Sequence, residues 1–589
     1  ALQAAVKSKP SPIYKSSFVT RIKTGNFEDN LAEIKDCDWV IEAVVERLDI
    51  KQSLFEKVEL HRKPGTLITT NTSGIPISIL IKGRSDDFKK HFCGTHFFNP
   101  PRYLRLFEII PSPFTDKNII QFFEYYADKF LGKTPVLCND TPAFIANRVG
   151  VFSMAAIFKL QQEIGLSISE IDSLTGTLIG KPKSATFRTA DVVGLDTLIK
   201  VANGVYEFCP NDASRDTFKV PDYVLKMEAN KWLGDKTGQG FYKKTTVDGK
   251  KVILELNLNT LEYKASEKTK FASVGEAKLV DSLRARLKIL AKGKDKAAEF
   301  LNKLNYSIFN YVSHRVPEIS HELYRIDDAM IAGFGWEIGP FLHWDILGVV
   351  NIVTLMKEHG HQPASWVEDM LNAGHTSFYK LENGVQYFYD INSKAYQIIP
   401  GRENFIVLDH KRSQTPVFKN TGCTVHDIGD GVLCVEFQTK MNTIGGEVLE
   451  GINKALDIAE ADGWKGVVLG NNAPNFSAGA NLAIVIMQAI EQEWDELNFA
   501  VRHFQNTVMR LRYSSVPVVA APHGLTLGGG CEMSMHTDAC MAAAETYIGL
   551  VEVGVGVIPI PCTFDGGGLV KPVLPGPPNR FIILLILQR

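Results

Sequence analysis

An alternation of two hydrophobic patterns near the start of the chain limits what this part can fold into. The runs "DWVIEAVV" and "GTLITTNTS" are apolar, rich in β-branched residues and closed by polar ones. Between them, "IKQSLFEKVELHR" has the spacing of an amphipathic helix. Strands that alternate with helices indicate parallel βα units. We therefore predict an α/β domain over residues 1–138.

The following segment has a helical pattern. "NDTPAFIANRVGVFSMAAIFKLQQEIG" predicts a long helix, with Asp140 or Thr141 as its N-cap and Pro142 in its first turn. These residue types are favoured at a helix start because a cap side chain accepts from a free N–H and proline lacks one.

A weak internal repeat indicates that the helical part contains two related modules. The first copy has Ile171, Asp172, Gly180, Asp191 and Gly194, and the second has Ile326, Asp327, Gly335, Asp345 and Gly348. We predict helical modules over residues 139–245 and 291–400, with a hairpin and charged connector over 246–290.

A second α/β domain is predicted near the end of the chain. Residues 401–420 are polar and contain proline, which indicates a linker. Beyond them, "GVLCVEFQT", "WKGVVLG" and "PVVAAPHG" are strand-like and alternate with helical stretches. We predict this domain over residues 421–589.

Composition narrows the classes of partner. The 589 residues suffice for roughly three to five domains, and a formal charge of -2 without long basic runs argues against nucleic-acid binding. Nine cysteines without a C-x-x-C pair disfavour both a disulfide framework and a metal site, so we expect a reducing, cytoplasmic compartment. No apolar run reaches the roughly 20 residues of a membrane span. A small-molecule partner is expected.

A glutamate in an apolar run suggests a catalytic pair. In "GTHFFNPPRYLRLFEII", Glu108 lies among leucine, phenylalanine and isoleucine residues, and His96 precedes it. A buried carboxylate must be paired, and an imidazole is a suitable nearby partner. Such a pair serves as a general base. The alternative is a solvent-facing glutamate on an edge strand beside a core histidine.

Seven motifs in this half resemble the 3-hydroxyacyl-CoA dehydrogenase family, over roughly residues 1 to 245. They occur in the family's order: "VIEAVVERLDIKQSLF", "TNTSGIPI", "GTHFFNPP", "LFEII", "TPAFIANRVG", "DVVGLD" and "KTGQGFY". The resemblance implies a Rossmann-like domain, a helical C-terminal domain and NAD as the cofactor.

The same resemblance implies roles for individual residues. His96, oriented by its glutamate, would take the proton of the substrate 3-hydroxyl while C3 gives hydride to the nicotinamide. Ser73 and Asn147 match residues that hydrogen-bond the reacting oxygen, and Glu46 and Lys51 match residues at the nicotinamide-ribose end, which Ser73 also borders. The alternatives are an Asx/Ser turn for "NTS", a structural asparagine near a helix cap for Asn147 and a solvated charge pair for Glu46 and Lys51.

One part of the family pattern is missing. The family begins with a strand, a G-x-G-x-x-G turn and a helix that binds the pyrophosphate, and nothing before Val40 matches it. "GFGWEIG" lies in the helical repeat and is interpreted as a structural turn. We expect that the chain has lost its true beginning, and with it most of the NAD site.

The last domain resembles the enoyl-CoA hydratase/isomerase, or crotonase, family. Its motifs are "NFSAGANL" and the glycine-rich run in "PHGLTLGGGCEMS". By motif position, the N–H groups of Ala480 and Gly529 would form the oxyanion hole, and Glu532 and Glu552 would hold and activate water. Alternatively, Glu532 is a first-turn helix carboxylate and Glu552 a solvated strand-end charge. Asn481 stands where the family usually has aspartate.

The residues after Ile558 fit neither the crotonase pattern nor a clear amphipathic one, and we expect a frameshift or truncation there. The expected fold is multidomain α/β and all-α: a partial Rossmann-like domain, two related helical dehydrogenase C-terminal modules and a partial crotonase-like α/β domain.

The resulting hypothesis is a bifunctional β-oxidation enzyme that hydrates 2-enoyl-CoA and oxidises 3-hydroxyacyl-CoA with NAD. Two alternatives stay open: a crotonase half acting as an enoyl-CoA isomerase, and a non-catalytic acyl-CoA-binding scaffold. The expected partners are acyl-CoA thioesters, with a thiolase expected from the pathway alone and a homo-oligomer from the resemblance.

Overall fold

The computed structural model describes residues 2–8, 11–13, 15–247, 249–267, 269–402, 405–412, 414–555 and 583–587. The chain forms two compact units. The first comprises Ala1–Lys380, Tyr387–Gln397 and Asn579–Arg589, and the second comprises Leu381–Gln386 and Ile398–Pro578.

The first unit begins with five strands and the helices between them. The strands are β1 (Trp39–Ala43), β2 (Leu67–Thr70), β3 (Phe92–Phe97), β4 (Leu106–Pro111) and β5 (Thr134–Leu137). The helices are α1 (Leu2–Lys7), α2 (Leu48–His61), α3 (Ile77–Leu80), α4 (Asp86–Lys90) and α5 (Lys117–Lys129). The strands predicted from "DWVIEAVV" and "GTLITTNTS", and the helix between them, are confirmed as β1, β2 and α2.

The sheet of this unit combines parallel and antiparallel neighbours. Strands β1, β2 and β3 are parallel, β4 is antiparallel to β3, and β5 is parallel to β4. Residues Ile583–Leu587 pair with β1 in parallel. Trp39, Phe107 and Ile109 of the strands belong to one core cluster with Phe123 of helix α5. The parallel connections place the carboxyl ends of β1 and β2 at one edge, where α/β sheets bind ligands.

Helices and six short strands follow, the strands in two groups of three. The helices are α6 (Ala146–Ile164), α7 (Ile168–Thr175), α8 (Phe187–Val193), α9 (Leu195–Phe208) and α10 (Asp222–Ala229). Strands β6 (Tyr242–Val247), β7 (Lys250–Leu256) and β8 (Tyr263–Ala265) form an antiparallel sheet. Next come α11 (Ala272–Ala277), α12 (Leu283–Lys292), α13 (Lys296–Arg315), α14 (Leu323–Phe334), α15 (Pro340–Leu347), α16 (Val349–Glu358) and α17 (Ser365–Asn372). Strands β9 (Tyr379–Glu382), β10 (Val385–Asp390) and β11 (Ala395–Ile398) end the series.

The predicted start of helix α6 was wrong. The helix begins at Ala146, after a turn in which Ala143 and Phe144 have φ of 63° and 47°. Asp140 caps a different helix, because its carboxylate accepts from the N–H groups of Ile77 and Ser78 at 2.7 and 3.0 Å. Asp140 therefore binds a helix that is distant in sequence, and not the start of α6 that the sequence suggested.

The second unit is a second α/β fold. Its strands are β12 (Phe418–Lys419), β13 (Cys423–Asp427), β14 (Val432–Phe437), β15 (Gly466–Gly470), β16 (Val518–Ala520), β17 (Leu525–Leu527), β18 (Ala539–Cys540) and β19 (Tyr547–Gly549). Its helices are α18 (Leu408–Lys411), α19 (Gly446–Ala461), α20 (Leu482–Ile490), α21 (Trp494–Arg512) and α22 (Gly529–Met535). Short 3-10 helices in the two units cover Ser16–Arg21, Leu31–Asp36, Thr177–Ile179, Arg215–Phe218, Asp235–Thr237, Lys440–Asn442 and Glu552–Val555.

The main sheet of the second unit has the order β12-β13-β14-β15-β16-β18, and β17 pairs separately with β19. The three predicted strands are confirmed as β14, β15 and β16. Val435, Leu469 and Ile452 lie in its core. The expectation for the tail after Ile558 concerns residues outside those described, except 583–587. None of the helices in the described residues is long and apolar enough to cross a bilayer.

Candidate active sites

His96 and Glu108 lie opposite each other on neighbouring strands. The antiparallel register of β3 and β4 pairs the two residues directly, so their side chains share one face of the sheet. Glu108 Oε2 is 2.7 Å from His96 Nδ1, and both side chains are buried. The ring of His96 meets the rings of Phe98 and Phe144 edge-on. The solvent-facing alternative for Glu108 was therefore wrong.

The second oxygen of Glu108 lies at the start of helix α6. Oε1 accepts hydrogen bonds from the N–H groups of Ile145, at 3.2 Å, and Ala146, at 2.9 Å. These N–H groups have no partner within the helix, and the positive end of the helix dipole favours an anion there. The histidine and the helix thus divide the stabilisation of the carboxylate. The sequence suggested only the histidine.

This arrangement fixes which nitrogen of His96 is available. The carboxylate accepts a hydrogen bond from Nδ1–H, which leaves Nε2 as the basic nitrogen of a neutral imidazole. Nε2 forms no hydrogen bond with any residue that the structure describes. The pair can therefore accept a proton at Nε2 while the carboxylate stabilises the resulting imidazolium.

Ser73 lies in the loop after β2, which is tied to β3 beside His96. Asn71 in this loop accepts a hydrogen bond from the N–H of Phe97 at 2.9 Å. Asn147 is the second residue of α6, directly after the Ala146 N–H that binds Glu108. Within the described ranges, the side chains of Ser73 and Asn147 make no hydrogen bond. Both polar groups are available to a ligand.

Lys51 and Glu46 belong to a buried ionic network, so the solvated-pair alternative was wrong. Lys51 Nζ lies 2.8 Å from Glu42 Oε1 and 3.4 Å from Glu46 Oε2, and the side chains of Lys51 and Glu42 are 1% and 0% exposed. Burial alone would raise the pKa of Glu46, but the hydrogen bond from Thr72 and the charge of Lys51 hold it below its ordinary value.

Glu42 was not among the functional residues predicted from the sequence, although its sequence context indicated a buried carboxylate. It lies in the apolar run "VIEAVV", and the argument that selected Glu108 applies to it equally. Its carboxylate accepts from Lys51, from the N–H of Val44 at 2.6 Å and from the hydroxyl of Thr70. Glu42 thereby connects the end of β1 to the last residue of β2 and to helix α2.

The segments that follow β1 and β2 are joined by Glu46. Glu46 Oε1 accepts from the N–H groups of Ser73 and Gly74 at 3.1 and 3.0 Å, so the carboxyl ends of β1 and β2 form one polar edge. Glu46 remains partly exposed, at 20%, and can present its carboxylate to a ribose hydroxyl. Such an edge of a parallel sheet is where dinucleotides bind.

The second unit brings the glycine-rich run against the loop of Ala480. A Cβ added to Gly479 would lie 3.5 Å from the nitrogen of Gly529, so the two candidate oxyanion donors are on adjacent backbone segments. Neither the Ala480 nor the Gly529 N–H donates to another residue in the described part of the chain. Asn481 caps helix α20 by accepting from the N–H of Ala483 at 3.2 Å. The departure at Asn481 therefore does not alter the candidate hole.

Glu532 and Glu552 lie around the same glycine run. Glu532 is in the first turn of α22 and is 6% exposed. A Cβ on Gly528 would lie 3.0 Å from Glu552 Oε1, and Glu552 Oε2 is buried without a hydrogen-bond partner in the described residues. Burial and the charges of both glutamates raise the pKa of the Cys531 thiol to about 11. Glu552 is therefore not a solvated strand-end charge, and the two carboxylates share one environment.

The first unit thus has the ligand edge and histidine base of a dinucleotide-dependent dehydrogenase, and the second unit has a glycine-lined anion site with two carboxylates. The sequence matches the families 3-hydroxyacyl-CoA dehydrogenase, NAD binding domain, over residues 2–141, and 3-hydroxyacyl-CoA dehydrogenase, C-terminal domain, over residues 144–244. Residues 427–565 match the family enoyl-CoA hydratase/isomerase.

Relatives cover most of the chain. A probable 3-hydroxyacyl-CoA dehydrogenase of Bacillus subtilis is 41% identical over 96% of this chain and 70% of its own length. A putative fatty acid oxidation complex trifunctional enzyme of Rickettsia felis is 30% identical over 94% of this chain and 72% of its own. The crystal structure of 3-hydroxybutyryl-CoA dehydrogenase from Escherichia coli is 20% identical, with a TM-score of 0.47, over 64% of this chain and 89% of that one.

The chain belongs to the 3-hydroxyacyl-CoA dehydrogenase family. With its NAD-binding dehydrogenase domain and its enoyl-CoA hydratase/isomerase domain, it is an enzyme of fatty-acid β-oxidation.

Proposed function

We propose that His96 is the general base of the dehydrogenase reaction and that Glu108 orients it. The observation that carries this assignment is the 2.7 Å contact between Glu108 Oε2 and His96 Nδ1, which leaves Nε2 free to take the proton of a substrate 3-hydroxyl. Ser73 and Asn147 would hold the reacting oxygen, because their side chains are uncommitted and lie in segments bonded to this pair.

Glu46, Lys51 and Ser73 would hold the nicotinamide-ribose end of NAD. When bound, NAD supplies the acceptor for the hydride that leaves C3. Lys51 acts on the cofactor edge indirectly, since its ammonium group is buried and fixes the carboxylates of Glu42 and Glu46. The product of the step is a 3-ketoacyl-CoA, with the proton on His96 Nε2.

For the second unit, we propose hydration of a 2-enoyl-CoA. The Ala480 and Gly529 N–H groups would stabilise the enolate oxygen that develops on the thioester, where one lost donor typically costs about 2.7 to 4 kcal/mol of barrier. Glu532 and Glu552 would hold the water and transfer its protons. Glu532 is buried and Glu552 is partly buried, and both lie beside the same glycine run. The presence of two carboxylates supports hydration, because isomerisation needs only one.

Separate substitutions test the two assignments. In the full-length protein, His96→Gln should strongly reduce NADH formation from 3-hydroxybutyryl-CoA and leave hydration of crotonyl-CoA near the wild-type rate. Glu532→Gln should do the reverse, with losses of about 10²- to 10⁴-fold in each case. The matched controls are His91→Gln and Glu496→Gln, the latter an exposed first-turn glutamate of α21. Wild-type NADH formation by His96→Gln would disprove the first assignment.

Glu552→Gln distinguishes hydratase from isomerase. Loss of crotonyl-CoA hydration in this variant supports the two-carboxylate mechanism, whereas full retention would favour the isomerase.

We also propose a homo-oligomer, a thiolase partner that consumes the 3-ketoacyl-CoA, and a cytoplasmic location. Light scattering of the purified chain tests the first, and co-purification with a thiolase tests the second. Cell fractionation tests the third.

A further inference from the structure

The turn before helix α6 has a strained backbone. Ala143 and Phe144 both have left-handed φ angles, which side chains other than glycine rarely adopt. This turn presents the N–H groups of Ile145 and Ala146 to Glu108. Such a conformation persists only where its surroundings hold it.

Arg148 holds this turn from behind. Its side chain is fully buried, and Nη1 donates to the carbonyl oxygen of Pro142 within the turn, at 3.4 Å. Nη2 donates to Asp212 Oδ2 at 2.8 Å and to Glu318 Oε1 at 3.0 Å, and Nε donates to the hydroxyl of Tyr311 at 2.7 Å. Because the guanidinium is planar, four partners fix its orientation.

Two of these partners come from the second helical module. Tyr311 lies on α13, and its ring stacks on Phe152 of α6 with centroids 3.7 Å apart and planes 4° from parallel. Its hydroxyl also donates to Asp212 at 3.1 Å. Beside it, Asn139 Nδ2 donates to the carbonyl oxygen of Pro317 at 2.9 Å, which anchors the chain just ahead of the turn.

The same module also packs next to the histidine. Phe334 of α14 lies so close to Gly150 that a Cβ there would overlap its ring. Its ring meets that of Phe98 at 5.9 Å, and Phe98 meets His96 edge-on at 5.2 Å. The second module therefore contacts the surroundings of both members of the pair.

We propose that Arg148 is a positioning residue of the dehydrogenase reaction, through which the second helical module fixes Glu108 and His96. Tyr311 and Glu318 orient Arg148, Arg148 holds the turn, and the turn supplies the N–H groups that hold Glu108. This inference rests on the proposed role of His96 as the base. It gives the second module, which lacks a His-Glu pair of its own, a function in the first site.

Tyr311→Phe tests the proposal, because it removes the two hydrogen bonds of the hydroxyl, with Arg148 and with Asp212, and keeps the ring stacked on Phe152. With 3-hydroxybutyryl-CoA as substrate, turnover at saturation should fall about tenfold, as expected when the bond to the charged guanidinium is lost. KM for NAD and substrate should stay unchanged, and the acid limb of the pH–rate profile should shift. Arg148→Lys should reduce turnover further, because an ammonium cannot reproduce the planar fork.

The matched control is Tyr379→Phe, which removes a tyrosine hydroxyl from Asp327 in the same module, away from the turn. It should leave turnover and the pH profile unchanged. A proton NMR measurement supplies a readout independent of turnover. The low-field signal of the proton between His96 and Glu108, identified by its loss in His96→Gln, should move in Tyr311→Phe and not in Tyr379→Phe.

The positioning role would be overturned if the signal and the pH profile are unchanged in folded Tyr311→Phe. This holds if turnover is normal, and also if turnover falls only in proportion to the fraction of protein that is folded. A full-length wild-type protein that shows the signal but forms no NADH would contradict the proposed function. In that case, movement of the signal in Tyr311→Phe would still support the positioning of the pair.

Discussion

Asp172 and Asp327 make equivalent hydrogen bonds in the two helical modules. Asp172 accepts from backbone N–H groups at the start of α8 and from the hydroxyl of Tyr242 at 2.9 Å. Asp327 accepts from N–H groups at the start of α15 and from the hydroxyl of Tyr379 at 3.0 Å. At these two positions of the weak sequence repeat, one buried carboxylate thus joins a helix start to a tyrosine.

Asp327 should make stability depend on pH. Burial raises its pKa to about 7, although the N–H groups of Phe341 and Leu342 and the Tyr379 hydroxyl oppose the shift. The unfolded value is about 3.9, so between about pH 4 and 7 the folded state binds the extra proton. Unfolding free energy should therefore fall as pH rises through this window, by at most about 1.4 kcal/mol per unit.

Urea midpoints at about pH 5 and pH 8 measure this dependence. Asp327→Asn cannot ionise, so it should be less stable overall, because its amide N–H₂ faces N–H donors, but should show a weaker decline with pH. Asp281→Asn, at an exposed position, is the control and should follow the wild type. A decline as steep in Asp327→Asn as in the wild type would assign the effect to other groups.

Lys51→Met should destabilise the first unit strongly. The substitution leaves the fully buried carboxylate of Glu42 without its cation, a change that typically costs about 3–5 kcal/mol. The double variant Glu42→Gln/Lys51→Met should recover part of the loss, because it removes the uncompensated charge. Lys23→Met breaks an exposed pair with Glu33 and should have little effect. Calorimetry of the four proteins checks this order, and equal melting temperatures for Lys51→Met and Lys23→Met would contradict it.

The sequence predicted those features that depend on local pattern. Strands β1 and β2 and helix α2 follow from hydrophobic periodicity, and Glu108 was identified because a carboxylate in an apolar run requires a partner. Only one of the two sets of groups that bind the Glu108 carboxylate was predicted. His96 lies on the adjacent strand, but the N–H groups of Ile145 and Ala146 come from a helix start whose position depends on the turn before it.

That turn could not be predicted, because tertiary contacts determine it. Local rules favour Asp140 as the cap of α6, yet Asp140 binds Ile77 and Ser78 far from it in sequence. Ala143 has a left-handed φ that its residue type disfavours, and Arg148 stabilises the turn from a position that reads as an ordinary helix residue. Sites held by strained backbone are where sequence rules are expected to fail.

Glu108→Gln should slow dehydrogenase turnover by about 10³-fold with little change in KM, as for loss of an orienting carboxylate. An amide has one oxygen, so its nitrogen must face either His96 Nδ1 or the N–H groups of α6, and one of these donors loses its acceptor. Steady-state kinetics with 3-hydroxybutyryl-CoA measure the change, with the exposed Glu56→Gln as control. A raised KM with normal turnover would instead indicate a binding role.

Gly528→Ala adds only one methyl group, but it should strongly impair the hydration of crotonyl-CoA. Gly528 has φ of 52° and ψ of -123°, a conformation that disfavours side chains, and an added Cβ would lie 3.0 Å from Glu552 Oε1. Glu552 would have to move, and the start of α22 that presents the Gly529 N–H would shift with it. We expect crotonyl-CoA hydration to fall at least tenfold and dehydrogenase activity to persist. Gly446→Ala, at the first residue of α19 with nothing within 4 Å, is the matched control and should retain hydration. Equal hydration rates in the two variants would show that the contact between Gly528 and Glu552 does not set the geometry of the site.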